Sequence, residues 1–173
     1  MSDPPAAAGP AWTRVTVTVV CKSAEATRAL AKQIGRRAVP GTVIALSGDL
    51  GAGKTCFIQG LAAGLGVEGP VASPTFIMIA EHAGRLPLYH VDLYRTASLA
   101  EIRGLGLDEL LDGTGVTAIE WAERAAPLLP PRAIRIHLRG AGDEPRTIEI
   151  DGAPPIWPSD WPMSWPTGCA AST

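Results

Sequence analysis

A chain of 173 residues, 46% hydrophobic and 18% charged, has the size of one compact domain and enough apolar content for a core. Its formal net charge of -2 argues against a protein that grips nucleic acid by itself, because phosphate neutralisation dominates such binding. No apolar run approaches the roughly 20 residues that span a bilayer, no signal peptide is recognisable at the start, and Cys21, Cys56 and Cys169 form no C-x-x-C, so a membrane protein, a disulfide framework and a zinc site are not expected, and a reducing, cytoplasmic setting is.

Residues 1–12 are rich in Pro and Ala and read as disordered. "RVTVTVV" (Arg14–Val20) alternates β-branched residues and predicts a strand. Ser23 is then a natural N-cap for a helix whose Ala26, Leu30 and Ile34 share one face. "GTVIALS" (Gly41–Ser47) is a short apolar run, the pattern of a strand buried on both faces. Lys54 to Leu65 predicts a helix with Phe57, Ile58, Leu61 and Leu65 as its apolar stripe. Gly60 and Gly64 weaken that helix by roughly 1 kcal/mol each, which suggests close packing against a neighbour. Phe76–Glu81 and Leu86–Val91 predict an antiparallel hairpin, Ser98 to Leu111 a glycine-broken helix, and "GVTAIEW" (Gly115–Trp121) another buried strand. "AIRIHLRG" and "PRTIEID" form a second hairpin joined at "AGDE". Strands alternating with helices, plus two hairpins, predict an α/β fold: a mixed sheet with a parallel core and antiparallel additions, flanked by helices. The segment 153–173 carries Trp157, Trp161 and Trp165, each followed by Pro. Proline after each tryptophan forbids a regular helix, so this tail reads as extended or disordered.

Between the second strand and its helix lies "SGDLGAGKTCF". The spacing Gly48-x-x-x-x-Gly53-Lys54-Thr55 is that of a phosphate-binding loop. Glycines permit backbone angles that turn N–H groups toward phosphate oxygens, and the helix N-terminus adds the positive end of its dipole. Gly48, Asp49, Leu50, Gly51, Ala52, Gly53, Lys54 and Thr55 thus form the expected cradle, with Lys54 reaching the phosphates and Thr55 holding Mg²⁺. Such a site needs an acid near the metal. Asp92 and Glu120 each end an apolar strand, and either fits. His90 shares a strand face with Asp92 and reads as a hydrogen-bonded histidine beside the site in preference to a metal ligand. Trp121 is either core or the edge of the site. No N-K-x-D motif occurs and Asp92 opens D-L-Y-R instead of D-x-x-G, which favours ATP over GTP. No acceptor domain or long lid is visible, which counts against a small-molecule kinase.

"GDLGAGKT", "SPTF", "PLYHVDLYR", "LGLDE" and "IEW" follow in that order. Together they resemble the bacterial TsaE (YjeE) family, the ATPase component of tRNA threonylcarbamoyladenosine biosynthesis, over residues 13–150. The resemblance implies a P-loop NTPase-like ATPase domain over 13–152, using ATP and Mg²⁺, slow without partners. It implies Thr55 and Glu120 at the metal, Asp92 aiding the metal or the attacking water, Thr75 on a nucleotide-sensing loop, Trp121 as the aromatic after the acid, and Ser23–Thr27 near the adenine. It implies TsaD and TsaB as partners, with tRNA engaged indirectly. Cys56 departs from the family's Thr or Ser, and the Trp-Pro tail has no family counterpart. A small-molecule kinase and a non-hydrolysing, nucleotide-gated binding module are the alternatives. Arg95 and Arg124 lie near the motif acids as possible sources of charge in cis, or as solvated surface residues.

Overall fold

The computed structural model describes residues 15–152 and 165–172. The expectations for residues 1–12 and for Trp157 and Trp161 lie outside them. The alternating run forms β1 (Val15–Cys21). The Ser23 hydroxyl then accepts from the N–H of Ala26 and opens α1 (Ala24–Arg37). β2 (Val43–Ser47) and α2 (Lys54–Gly64) follow, then the hairpin of β3 (Ile79–His82) and β4 (Leu88–Asp92). The predicted broken helix is two short ones, α3 (Leu99–Gly104) and α4 (Leu107–Asp112), parted at Gly106. β5 (Val116–Glu120), a 3-10 helix (Ala122–Leu128), β6 (Ile134–Arg139), β7 (Arg146–Gly152) and β8 (Cys169–Ala171) complete the order.

These strands make one sheet in the order β3-β4-β5-β2-β6-β7-β1-β8. β4, β5, β2 and β6 run parallel, and the remaining pairs are antiparallel. That is the mixed α/β sheet the sequence predicts. β2 and β5, at the centre, are buried along nearly their whole length because both faces are covered. Ile44 and Leu46 of β2 join Leu30, Ile34, Phe57 and Leu61 of α1 and α2 in one core. Val43 and Ala45 join Ile102, Leu107 and Leu111 of α3 and α4 in the other. The two glycines of α2 do allow close packing. A Cβ at Gly60 would lie 2.3 Å from the Arg28 carbonyl oxygen, and one at Gly64 2.3 Å from that of Lys32.

Three expectations need correction. Phe76 and Ile77, predicted as strand, are exposed in a turn, and β3 starts only at Ile79. Met78 has a left-handed φ of 63°, and the hydroxyls of Ser73 and Thr75 are drawn to Asp92. These tertiary bonds outweigh the local β preference. Second, Cys21 and Cys169 form a disulfide across 148 residues, and third, the end of the segment read as a disordered tail is a strand. Pairing explains both: Val19, Val20 and Cys21 lie opposite Ala171, Ala170 and Cys169, the Lys22 N–H donates to the Gly168 carbonyl, and Trp165 packs on the first core. A cross-link closing so long a loop constrains the unfolded chain by about 3–5 kcal/mol. Thiol reduction, or Cys169→Ser, is therefore expected to lower the melting temperature by roughly 10 °C. A thermal melt with and without reductant checks this; coincident curves would show that the bond adds nothing.

Candidate functional site

Three parallel strands, β2, β5 and β4, end side by side, and the polar chemistry gathers at those ends. Beyond β2 the loop turns through Gly48, whose φ is 134°. A Cβ there would meet the Leu138 carbonyl oxygen at 2.3 Å, so glycine is what lets the loop pass beside β6. The loop opens α2, which has Gly53 at its N-cap and no side-chain capping bond. Its first N–H groups are thereby left for a ligand.

Lys54 is 4% exposed. Its ammonium donates to the carbonyls of Gly48 at 2.6 Å and Asp49 at 2.9 Å, and lies 3.9 Å over the Trp121 ring. Burial pulls its pKa below the usual lysine value, against the opposing pull of Glu120, Glu123, Asp92 and Asp49. Trp121 holds a left-handed φ of 58° and packs against Tyr94 at 5.0 Å between centroids. It forms the edge of the site, one of the two placements its sequence position allowed.

The two acids are register partners at the ends of β4 and β5. Glu120 Oε1 accepts from the Thr55 hydroxyl at 2.8 Å and from His90 Nε2 at 2.9 Å. Asp92 Oδ1 accepts from the Tyr94 N–H at 2.9 Å. Its Oδ2 accepts from the Ser73 hydroxyl and, at 3.2 Å, from that of Thr75. The chain thus ties its "SPTF" turn to one acid and its helix N-terminus to the other. Leu50, Thr55, Thr75, Asp92, Glu120 and Trp121 line one cleft of about 360 Å³, together with Gly51, Gly53 and Lys54. Gly48, Asp49 and Ala52 do not line it; the first two act through their carbonyls on Lys54, and Ala52 is fully buried. The Thr55 hydroxyl and the Glu120 carboxylate are hard oxygen donors in contact, a set that suits Mg²⁺.

A second cleft of about 420 Å³ lies across Gly53 and Cys56, which border both. Ser23, Glu25 and Thr27 line it, the segment that the resemblance puts near the adenine. The Cys56 thiol contacts the Ala24 carbonyl and Arg28, and burial raises its pKa. Arg95 and Arg124 line neither cleft: Arg95 sits 4.6 Å over the Phe76 ring and Arg124 donates to the Thr96 carbonyl.

Sequence reasoning missed Ser73, Tyr94 and, above all, Arg146. From the start of β7, the Arg146 guanidinium donates to the Ala52 carbonyl at 2.9 Å, that of Gly51 at 3.3 Å and that of Gly142 at 2.9 Å. It braces the phosphate loop from the β6–β7 hairpin. No local signal marks it, because its partners lie 94 and 95 residues away. Arg146→Met, which keeps the aliphatic stem, is expected to free the loop and weaken nucleotide binding about 10-fold. A calorimetric titration checks this, and unchanged affinity would mean the loop holds its own shape.

The model of the family described as "Threonylcarbamoyl adenosine biosynthesis protein TsaE" matches residues 21–148. The tRNA threonylcarbamoyladenosine biosynthesis protein TsaE of Treponema pallidum is 46% identical over 131 residues, spanning 76% of this chain and 97% of that protein. Its namesake from Bacillus subtilis is 48% identical over 125 residues, spanning 72% and 78%. The crystal structure of Bacillus subtilis YdiB aligns with a TM-score of 0.67 at 38% identity, covering 83% of this chain and 88% of that one. The matched span contains the glycine loop, the "SPTF" turn and both strand-end acids, and on that likeness of sequence and P-loop-like fold the chain belongs to the TsaE family of tRNA threonylcarbamoyladenosine biosynthesis.

Proposed function

We propose that the chain is an ATPase that binds and hydrolyses ATP with Mg²⁺, as the accessory subunit of threonylcarbamoyl modification of the tRNA adenosine next to the anticodon, a cytoplasmic task to which the Cys21–Cys169 bond does not itself point. It acts on a TsaD–TsaB transferase complex and meets tRNA only through that complex. The observation that carries this reading is the convergence of Lys54, the Thr55–Glu120 pair and the Asp92–Ser73–Thr75 cluster on one cleft. Lys54 exchanges its loop carbonyls for phosphate oxygens, and the N–H groups of the loop and of the α2 N-terminus take the remaining negative charge. Thr55 and Glu120 hold Mg²⁺, which when bound neutralises charge on the phosphates. Asp92 sits next to Glu120 and accepts or orients the proton of the attacking water. Thr75 bonds the same carboxylate, so it can report what happens there to the exposed turn beside it. At that rim Leu50 is 73%, Phe76 83% and Ile77 71% exposed, an apolar border that suits a partner covering the cleft. Among the described residues no helix is long and apolar enough to cross a membrane.

The nucleoside profile of tRNA from cells depleted of this protein tests the reading. Threonylcarbamoyladenosine should fall, and should return with the wild-type chain but not with Lys54→Ala. An unchanged profile would refute it. A kinase would instead produce a phosphorylated metabolite in step with ADP, where this reading expects free phosphate.

A further inference from the structure

The least explained polar group near the cleft is His90. It lies in the middle of β4, is completely buried, and its Nδ1 has no hydrogen-bond partner among the described residues. An unpaired buried nitrogen costs stability, and an apolar side chain of similar size would avoid that cost. What His90 does provide is Nε2. Register places His90 opposite Ala118, with Ala80 on its other side. Glu120 is two residues beyond Ala118 and so on the same face. The two small alanines leave the imidazole room, and its Nε2 reaches Glu120 Oε1 at 2.9 Å. An ionised carboxylate only accepts, so Nε2 carries the proton and donates. The Thr55 hydroxyl donates to that same oxygen at 2.8 Å. One oxygen of Glu120 is therefore held from two directions, by α2 and by β4. Its second oxygen has no donor among the described residues, and Glu120 lines the cleft.

We propose that His90 is a positioning residue for the nucleotide chemistry: by holding Glu120 Oε1 together with Thr55, it fixes the carboxylate plane and presents Oε2 to the metal. This rests on the reading of Glu120 as the acid of the site. Thr55 alone restrains that plane only softly, because one hydrogen bond is all that opposes rotation about the Cγ–Cδ bond. A second donor from a buried strand tightens that restraint. Loss of such an outer partner, or a displacement of about 1 Å, commonly lowers turnover by about 10–100-fold.

The test compares His90→Leu, His90→Gln and His90→Asn in the full chain, using ATP and Mg²⁺, with the transferase heterodimer present. The amide nitrogen of glutamine falls near the position of Nε2; that of asparagine stops short. His90→Leu and His90→Asn are expected to lose about 30-fold in kcat with ATP affinity within about 3-fold of wild type, and to need more Mg²⁺ for half-maximal rate. His90→Gln is expected to recover most of the rate. If His90→Leu fails to fold, the Gln–Asn contrast carries the test. Wild-type turnover in His90→Leu or His90→Asn, beside an inactive Glu120→Gln, would overturn the positioning role alone. Equal losses in the Gln and Asn variants would also overturn it, since they point to packing. Undiminished turnover in Glu120→Gln would instead refute the site assignment, and this inference with it.

Discussion

Replacing Lys54 by alanine is expected to weaken nucleotide binding by about 100-fold or more. The ammonium is already desolvated, at 4% exposure, and already makes two hydrogen bonds, to the Gly48 and Asp49 carbonyls. Moving to phosphate oxygens exchanges neutral acceptors for charged ones in a setting of low dielectric, where each charge-assisted bond contributes about 1.5–3 kcal/mol. Losing the group removes about 3 kcal/mol of binding, and 1.4 kcal/mol is a tenfold change. Arginine should not rescue, because its planar fork does not fit a pocket shaped for a point charge beneath the Trp121 ring. Calorimetric titration with ATP and Mg²⁺ reads the effect directly. Wild-type affinity in Lys54→Ala would remove the phosphate site from the account.

Glu120→Gln is expected to have the opposite signature: ATP affinity within a few-fold of wild type, and turnover lower by about 10²–10⁴. The amide oxygen can still accept from Thr55 and His90, so the local geometry survives. What is lost is the negative charge that holds the metal. Asp92, its register partner, would no longer face a like charge, so the melting temperature should hold or rise. Binding and single-turnover measurements on one preparation separate the effects. Equal loss of both would show that Glu120 builds the pocket and takes no part in the chemistry. Undiminished turnover would pass the holding of the metal to Asp92.

What was legible in the chain is what is written in contiguous residues. The glycine loop, the Ser23 cap, the buried strands and the acids ending two of them all follow from local spacing. The placement of Asp92 beside Glu120 follows once β4 and β5 are parallel neighbours. Contacts between distant segments were not legible. Nothing near Cys169 announces Cys21, and nothing in "PRTIEID" marks Arg146 as the brace of a loop on another strand. The turn at Phe76 was misread for a related reason. Its residues favour a strand, but Ser73 and Thr75 bond a carboxylate 19 and 17 residues further along. The site claims these hydroxyls, and the chain between them and β3 is left to turn outward. Local propensity was overruled where function needs the backbone elsewhere.

That outward turn, with Phe76 and Ile77 exposed beside the cleft, bears on why a lone subunit should be slow. Positioning or charge supplied by a partner is worth about 10³–10⁵ in rate in related P-loop systems, and within the chain Arg95 is stacked on Phe76 and Arg124 bonded to the Thr96 carbonyl, neither lining the cleft. The most direct measurement is therefore phosphate release from ATP by the purified full chain, alone and with purified TsaD–TsaB heterodimer. The expected result is slow release alone, a rise of at least tenfold with the heterodimer, and loss of that rise in Glu120→Gln. No complex and no stimulation, or a stimulated rate that persists in Glu120→Gln, would contradict the account.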